Sequence, residues 1–302
     1  AEPDPERRAA LQHGLALGLE RTRARRAGGV PDELERRWRE ADAKLFLRIR
    51  AALGVDQVEA FAVGSAPTPP HILDFFAAIG IEIAEMWGLT ECSSNAAINP
   101  PGAIKPGTVG RPLPGVEARL AEDGEILLRG PVVMKGYRNE PEKTAEAVDA
   151  DGWLHTGDVG SIDADGYIRI IDRKKELIIN SAGKNMSPVA IESAIKGASS
   201  LIGQAVAIGD ARPYNVALIA LDPDVAAGRA HDDPAVVHEI GEAIARGNER
   251  LARVEQIKRF QIVAEAWEPG GPCLTPTSKL KRKPIAERYA AEIEALYAPD
   301  PR

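Results

Sequence analysis

Five short segments hold residue types that chemistry needs: Gly64-Ser65-Ala66-Pro67, Trp87-Gly88-Leu89-Thr90-Glu91, His155-Thr156-Gly157-Asp158, Asp172-Arg173-Lys174-Lys175-Glu176 and Leu274-Thr275-Pro276-Thr277-Ser278-Lys279. A carboxylate that follows a strand, such as Glu91, suits a hard divalent cation. The Thr90 hydroxyl can donate a hydrogen bond, and an ionised Asp158 can accept two. Arg173 is a charged donor, and Lys279 is a point charge on a flexible stem, suited to a phosphoryl oxygen. Each segment also has a plain structural reading. Gly64–Pro67 reads as a turn, Glu91 as an exposed helix-start carboxylate, Trp87 as core packing, Arg173 as a surface partner of Glu176, and Lys279 with Lys281, Arg282 and Lys283 as a solvated basic stretch. Gly183-Lys184 is not a Walker A element, because Ile179 stands five residues before the lysine and Asn185 follows it.

The elements that must position these residues follow from periodicity. Leu11, Leu15 and Leu19 mark a helix, and Gly28-Gly29 ends it. Leu34, Trp38, Leu45, Ile49 and Leu53 mark a second apolar stripe, stopped by Gly54. A strand at 58–63, a helix carrying Ile72, Phe75, Phe76 and Ile79, and a strand at 81–84 form a strand–helix–strand unit, which predicts a parallel sheet. From about 107 to 171, alternating apolar residues and the turn signals Asp123-Gly124 and Asp165-Gly166 predict an antiparallel β subdomain, with strands at 125–129 and 167–171. Beyond it the pattern predicts strands at 177–179, 205–209, 216–221 and 260–263. It also predicts a helix capped by Ser187 and begun by Pro188, a long helix through Ile240 and Ile244, and one last helix through Ile285, Tyr289 and Ile293.

The chain has 302 residues, 44% hydrophobic and 27% charged, which fits about two folded domains and excludes disorder throughout. No run of about 18 apolar residues is present, so no membrane span is expected. No signal peptide is visible in the charged, proline-containing start, and two cysteines cannot build a disulfide framework or a zinc cluster. A reducing, cytoplasmic setting is the expectation. A net charge of −7 argues against a nucleic-acid partner, and Arg21, Arg23, Arg25 and Arg26 read as a solvated helix end.

Taken in order, the segments resemble the adenylate-forming superfamily of acyl-CoA synthetases, adenylation domains and luciferases. The resemblance runs from about residue 58 onward. It includes the aromatic-Gly-x-Thr-Glu box at Trp87–Glu91, Thr156-Gly157-Asp158, Asp165-Gly166-Tyr167, Asp172-Arg173-Lys174-Lys175, Gly183-Lys184-Asn185-Met186-Ser187-Pro188 with Ile191-Glu192, and the Lys279 segment. It implies an α/β fold: the end of a large parallel-sheet domain with a small antiparallel β subdomain (1–171), a hinge at 172–176 about Lys175, and a smaller mobile α+β domain (177–302). ATP, Mg²⁺ and coenzyme A are the implied cofactors, with a fatty acid or other carboxylate as substrate. Ser65, Ala66, Pro67, Trp87 and Gly88 would line the adenine, and Thr90 would meet a phosphate. Glu91 would hold the metal, Asp158 the ribose, and Arg173 the ribose or phosphate. Lys279 would reach the α-phosphate, with the neighbouring cations meeting coenzyme A. Gly183 and Asn185 would approach its pantetheine arm. Trp87 stands where the family usually has Tyr. Ser278 stands where many relatives have Gly; the Thr-Pro-Thr-x-Lys form resembles the long-chain fatty acyl-CoA synthetase branch.

One family feature has no counterpart. No Ser-Gly-Thr-Thr-Gly-like phosphate loop occurs anywhere in the sequence. Such a loop cradles phosphates with backbone N–H groups. The resemblance therefore implies the C-terminal part of an AMP-forming fatty acid–CoA ligase. The alternatives are an acyl-AMP ligase that loads a carrier protein, and a catalytically silent remnant that binds nucleotide or CoA. Chain-length preference, peripheral membrane contact and oligomeric state stay open at this level.

Overall fold

The computed structural model describes residues 4–298. The chain divides into two compact units, Ala1–Ile170 and Ile171–Arg302.

In the first unit α1 (Pro5–Arg26) is capped by the Asp4 side chain, which accepts from the Glu6 N–H at 3.0 Å. Helix α2 (Asp32–Ala41) runs into a π-helical turn (Asp42–Phe46) and then α3 (Leu47–Ala52). The single stripe expected from Leu34 to Leu53 is thus broken. The widened turn buries Phe46 completely, and Leu53 ends half-exposed. Strand β1 (Phe61–Val63), α4 (Pro70–Ala78) and β2 (Ile83–Trp87) form the predicted parallel unit, with Val63 opposite Glu85. Two short strands, β3 (Ala97–Ile98) and β4 (Arg111–Pro112), extend this sheet antiparallel, in the order β1-β2-β3-β4.

At the basic end of α1, Arg23, Arg25 and Arg26 are exposed, as a solvated helix end requires, and Arg21 is the exception. Arg21 is buried, donates to Glu35 at 2.6 and 3.1 Å, and lies 3.8 Å over the Trp38 ring, while Arg25 pairs with Glu82 and Arg26 with Asp74. Arg21, Arg25 and Arg26 thus reach carboxylates on neighbouring elements.

A second sheet follows in the order β5-β6-β7-β8: β5 (Glu117–Leu120), β6 (Glu125–Arg129), β7 (Leu154–Ile162) and β8 (Ile168–Arg173), with α5 (Pro141–Ala147) before β7. Its core is Ile126, Leu128, Leu154 and Ile168, packed with Trp87 and Ala97 of the first sheet and with Cys92 from the turn between β2 and β3. Gly110 joins the two sheets: its carbonyl accepts from Ile168 N at 2.7 Å, and Val109 N donates to Ile168 O at 2.8 Å.

The second unit begins with the pair β9 (Ile178–Ile179) and β10 (Asn185–Met186), then α6 (Pro188–Lys196). Strands β11 (Ile202–Ile208), β12 (Asn215–Leu221) and β13 (Ile257–Ile262) make a sheet in which β12 pairs antiparallel with β11 and parallel with β13. One face packs on α6 and α8 (Pro234–Asn248), which follows the short α7 (Pro223–Ala226); the other carries α9 (Arg282–Arg288) and α10 (Ala290–Tyr297). The last helix is therefore two. Tyr289 leaves helical geometry between them, and its hydroxyl accepts from Trp267 Nε1 at 3.0 Å.

Candidate active site

Ligands of open parallel sheets sit at the carboxyl ends of the strands. Because β1 and β2 run parallel, the segments leaving them, Ser65–Pro67 and Gly88–Glu91, come off the same end. Ser65, Ala66, Pro67 and Thr90 are exposed there, and Ser65 has a φ of 73°. Gly88 packs where any Cβ would stand 2.4 Å from the Ser94 carbonyl oxygen.

Trp87 and Asp158, 71 residues apart, meet directly: the indole N–H donates to Asp158 Oδ2 at 2.7 Å, and both residues are buried, 9% and 5% exposed. The strand that delivers Asp158 is irregular. Glu125 faces Val159 while Leu127 faces His155, so β7 carries two extra residues against β6. Gly157 sits in this bulge at φ 70°, its N–H bonded to Glu125 Oε1 at 2.8 Å. Thr156 secures the other side, donating to Ile126 O at 2.6 Å and accepting from Asp158 N at 3.1 Å. A bulge of this kind re-aims one side chain while the sheet continues; here it turns Asp158 toward Trp87.

Glu91 is held twice. Its carbonyl accepts from Met134 N at 2.7 Å, and its Oε1 accepts from the Tyr137 hydroxyl at 2.7 Å. That bond to a carboxylate, with some burial, pushes the Tyr137 phenol above its ordinary value. Tyr137 also lines an open cleft of about 540 Å³ with Lys135, Asn139 and Glu140. Sequence reading missed Tyr137, which lies 46 residues from Glu91 with no local sign of the pairing. Among the described residues no group of three or more His, Cys, Asp or Glu could hold a metal. One carboxylate with the remaining ligands from phosphate and water is nevertheless how Mg²⁺ commonly binds, so Glu91 fits that ion. Burial pushes the thiols of Cys92 and Cys273 above their ordinary values, and neither is disulfide-bonded.

In the second unit Arg173, Lys175, Gly183 and Asn185 are exposed, with Gly183 at φ 73° in the β9–β10 turn that the Asn180 side chain closes. Asp172 is buried; its Oδ2 accepts from the Ser187 hydroxyl and from Val189 N at 3.2 Å, and its Oδ1 from Arg173 N at 2.7 Å. The Ser187 oxygen in turn caps α6, accepting from Ala190 N at 3.0 Å.

Lys279 lies on a tight hairpin. Leu274 bridges Leu280, Thr275 N donates to Lys279 O at 2.8 Å, and Lys279 N donates to Thr275 Oγ1 at 3.0 Å. Ser278, the turn residue, has a φ of 61°, a left-handed conformation that favours glycine. Ser278→Gly is expected to stabilise the second unit by about 0.5–1 kcal/mol, read as a raised denaturant midpoint; an unchanged or lowered midpoint would show that the left-handed turn costs nothing. Two of the neighbouring cations, Lys281 and Arg282, have close partners within the protein. Lys281 Nζ donates to Gly271 O at 2.9 Å, Arg282 pairs with Glu192 and Glu176, and Lys283 lies 4.0 Å from Glu287. Lys283 stays 88% exposed, so of the three neighbouring cations it is the one most open to solvent. Among the described residues the Lys279 ammonium has no hydrogen-bond or ion-pair partner.

The sequence profile of the AMP-binding enzyme family matches residues 5–138, and that of the AMP-binding enzyme C-terminal domain matches residues 175–300. These matches take in most of the chain, and it belongs to the AMP-binding enzyme family. The Mycobacterium tuberculosis protein fadD11, provisionally named a fatty-acid–CoA ligase, is 50% identical over 314 aligned residues that cover 100% of this chain and 55% of that protein. The Mycobacterium bovis long-chain-fatty-acid–CoA ligase FadD15 is 39% identical over 85% of this chain and 44% of its own length. The human long-chain-fatty-acid–CoA ligase 6 is 34% identical over 85% of this chain and 40% of its own length. The chain thus spans about half the length of the curated relatives it matches. Among solved structures, the adenylation domain of a Mycobacterium chelonae carboxylate reductase shares the fold, with a TM-score of 0.73 at 22% identity over 95% of this chain and 45% of that one. The anthranilate CoA ligase AuaEII, solved with anthranoyl-AMP, gives a TM-score of 0.62 at 25% identity over 80% of this chain and 46% of that one. Among the described residues no helix is long and apolar enough to cross a membrane.

Proposed function

We propose that this chain is the C-terminal portion of an AMP-forming fatty acid–CoA ligase. The observation that carries the reading is the grouping on the first unit, where Trp87 is bonded to Asp158 and Glu91 is held by Tyr137, on segments that leave the same end of a parallel sheet. In the reaction a carboxylate oxygen attacks the α-phosphorus of ATP and pyrophosphate leaves. The CoA sulfur then attacks the acyl carbonyl and AMP leaves, its phosphate keeping the electron pair. Ser65–Pro67, Trp87 and Gly88 line the purine. Asp158 accepts from the ribose hydroxyls, Arg173 supplies a charged donor to the ribose or phosphate, and Thr90 donates to a phosphate oxygen. Glu91 would hold Mg²⁺, which supplies charge neutralisation for the departing pyrophosphate. Lys279 neutralises charge that builds on the α-phosphate and the attacking carboxylate. Gly183 and Asn185 approach the pantetheine in the second step. The cytoplasmic setting rests on the two unpaired buried thiols.

The test is AMP release from Mg²⁺·ATP, CoA and a chain-length series of fatty acids. It would be run on this chain alone and on this chain joined to the N-terminal half of a full-length relative. CoA-dependent release by the joined protein is expected, and its chain-length profile names the acid. A folded joined protein that releases no AMP sinks the reading. The second reading is a remnant that binds nucleotide or CoA without turnover. Calorimetric binding of AMP or CoA by a protein silent in the assay would establish it.

Tyr137→Phe bears on the metal role. Losing a hydrogen bond to a charged group costs about 1.5–3 kcal/mol, part of which falls on Glu91 orientation. The Mg²⁺ concentration for half-maximal AMP release is expected to rise about 5-fold, with the rate recovered at saturating Mg²⁺. An unchanged Mg²⁺ dependence would separate Tyr137 from metal binding.

A further inference from the structure

We propose that Arg282 is a positioning residue for Lys279, fixing the lysine hairpin to the body of the second unit through two carboxylates. The inference rests on the ligase reading for what Lys279 does, but the anchoring itself is read from geometry. Arg282 Nη1 and Nη2 donate to Glu192 Oε1 and Oε2 at 2.6 and 2.9 Å, and its Nε donates to Glu176 Oε2 at 3.1 Å. The guanidinium fork therefore meets one carboxylate edge-on and a second from the side, an arrangement a lysine ammonium cannot reproduce.

The foundation on the Glu192 side is rigid. That side chain is 7% exposed on α6, and its Oε1 also accepts from Ala207 N of β11 at 2.9 Å. Burial works against the Arg282 charge, but the Glu192 and Glu176 carboxylates outweigh it and hold the guanidinium above its ordinary value. On the other side, Arg282 directly follows the base of the hairpin, where Lys281 N donates to Cys273 O at 2.8 Å. Fixing Arg282 fixes that base, two residues from Lys279. Glu176 ends the charged segment after β8, so the same guanidinium ties the hairpin to the start of this unit. Of the four basic residues from 279 to 283, Arg282 is the one bound by two carboxylates, and Lys279 the one whose ammonium has no partner among the described residues. The stretch thus divides into an anchor and a free charge.

The test is hydrogen–deuterium exchange on the whole chain, read by mass spectrometry over residues 272–281 and over β11–β13. It compares the parent with Arg282→Ala, Arg282→Lys and Glu176→Gln. The expected result is exchange at the hairpin amides at least tenfold faster in Arg282→Ala, with partial recovery in Arg282→Lys and a smaller change in Glu176→Gln, while β11–β13 stay protected. Arg282→Lys and Glu176→Gln keep the proposal falsifiable if Arg282→Ala fails to fold. Unchanged hairpin exchange in both of them, or a loss of protection spread evenly over the unit, overturns the anchoring. A second arm uses the joined ligase. Arg282→Lys should lower kcat for acyl-adenylate formation at least fivefold, with the carboxylate KM and the transfer from supplied acyl-adenylate to CoA unchanged. A fall in both half-reactions alike overturns the positioning role. If instead Lys279→Ala leaves adenylation intact, the ligase role of the lysine fails while the exchange result still decides the anchor.

Discussion

Lys279→Ala is expected to lower acyl-adenylate formation by about 10²–10³-fold, the range seen when one preorganised charge or donor is taken from a developing oxyanion. The unfolding midpoint should not move, because the side chain is exposed and bonded to nothing among the described residues. That pairing of a large kinetic loss with no stability loss is diagnostic. The measurement is AMP and pyrophosphate release in the joined ligase, with denaturant unfolding run in parallel. Supplying pre-made acyl-adenylate and CoA should bypass the defect, since that step no longer places negative charge on an attacked phosphorus. Lys279→Arg should restore little, because a planar fork on a tight hairpin does not place its charge where a compact ammonium does. A variant that keeps more than a third of the parent rate would transfer the role to another cation. Lys281 and Arg282 are poor substitutes, since their donors are already taken by Gly271, Glu192 and Glu176.

The second large effect is on stability. Gly110→Ala is expected to destabilise the first unit by about 4 kcal/mol or more, at the extreme of single substitutions. A Cβ at Gly110 would lie 1.9 Å from the Ile98 carbonyl carbon and 2.1 Å from Asn99 N, both backbone atoms of β3 and its end, and φ is +82°. Neither side-chain repacking nor a rotamer change can relieve such a contact. Shifting the backbone would break the bonds to Ile168 that join the two sheets. Gly157→Ala is the control: its φ of +70° is similarly unfavourable, but nothing stands within 4 Å of the added carbon. It should cost only about 1 kcal/mol. Comparable midpoints for the two variants would mean that backbone conformation, rather than space, sets the cost.

Much of this architecture is legible in the sequence where local chemistry and tertiary packing agree. Asp123-Gly124 turns a hairpin, with Gly124 at φ 82°, and the following strand occupies Glu125–Arg129 as predicted. Ser187 and Pro188 start α6. Strand β7 was not legible, because its inward positions include Thr156, Asp158 and Gly160 rather than a run of apolar residues. Polar groups face inward there because the site needs them, so the alternation that marks a strand is hidden by function. The last helix was over-extended for the opposite reason. Ile285, Tyr289 and Ile293 keep helical spacing across a break that Tyr289 makes between α9 and α10. The candidate site residues could be marked through their motifs, but not what holds them. Tyr137 on Glu91, Asp158 on Trp87 and Glu192 on Arg282 are separated by 46, 71 and 90 residues. Periodicity and turn chemistry are local signals, and pairings at that range come only from the folded chain.

The Asp172 carboxylate has a consequence for how the chain could swivel. It is buried and grips the start of α6 through Ser187 and Val189, all within one unit. Twisting the backbone at Lys175 would pull this carboxylate out of its socket, and a buried charge stripped of its partners costs about 3–5 kcal/mol. Twisting ahead of Ile171, whose carbonyl accepts from the Ser187 hydroxyl at 3.1 Å, leaves the socket closed. A turn of the chain about the expected hinge at Lys175 would therefore have to release this carboxylate, whereas one ahead of Ile171 would not.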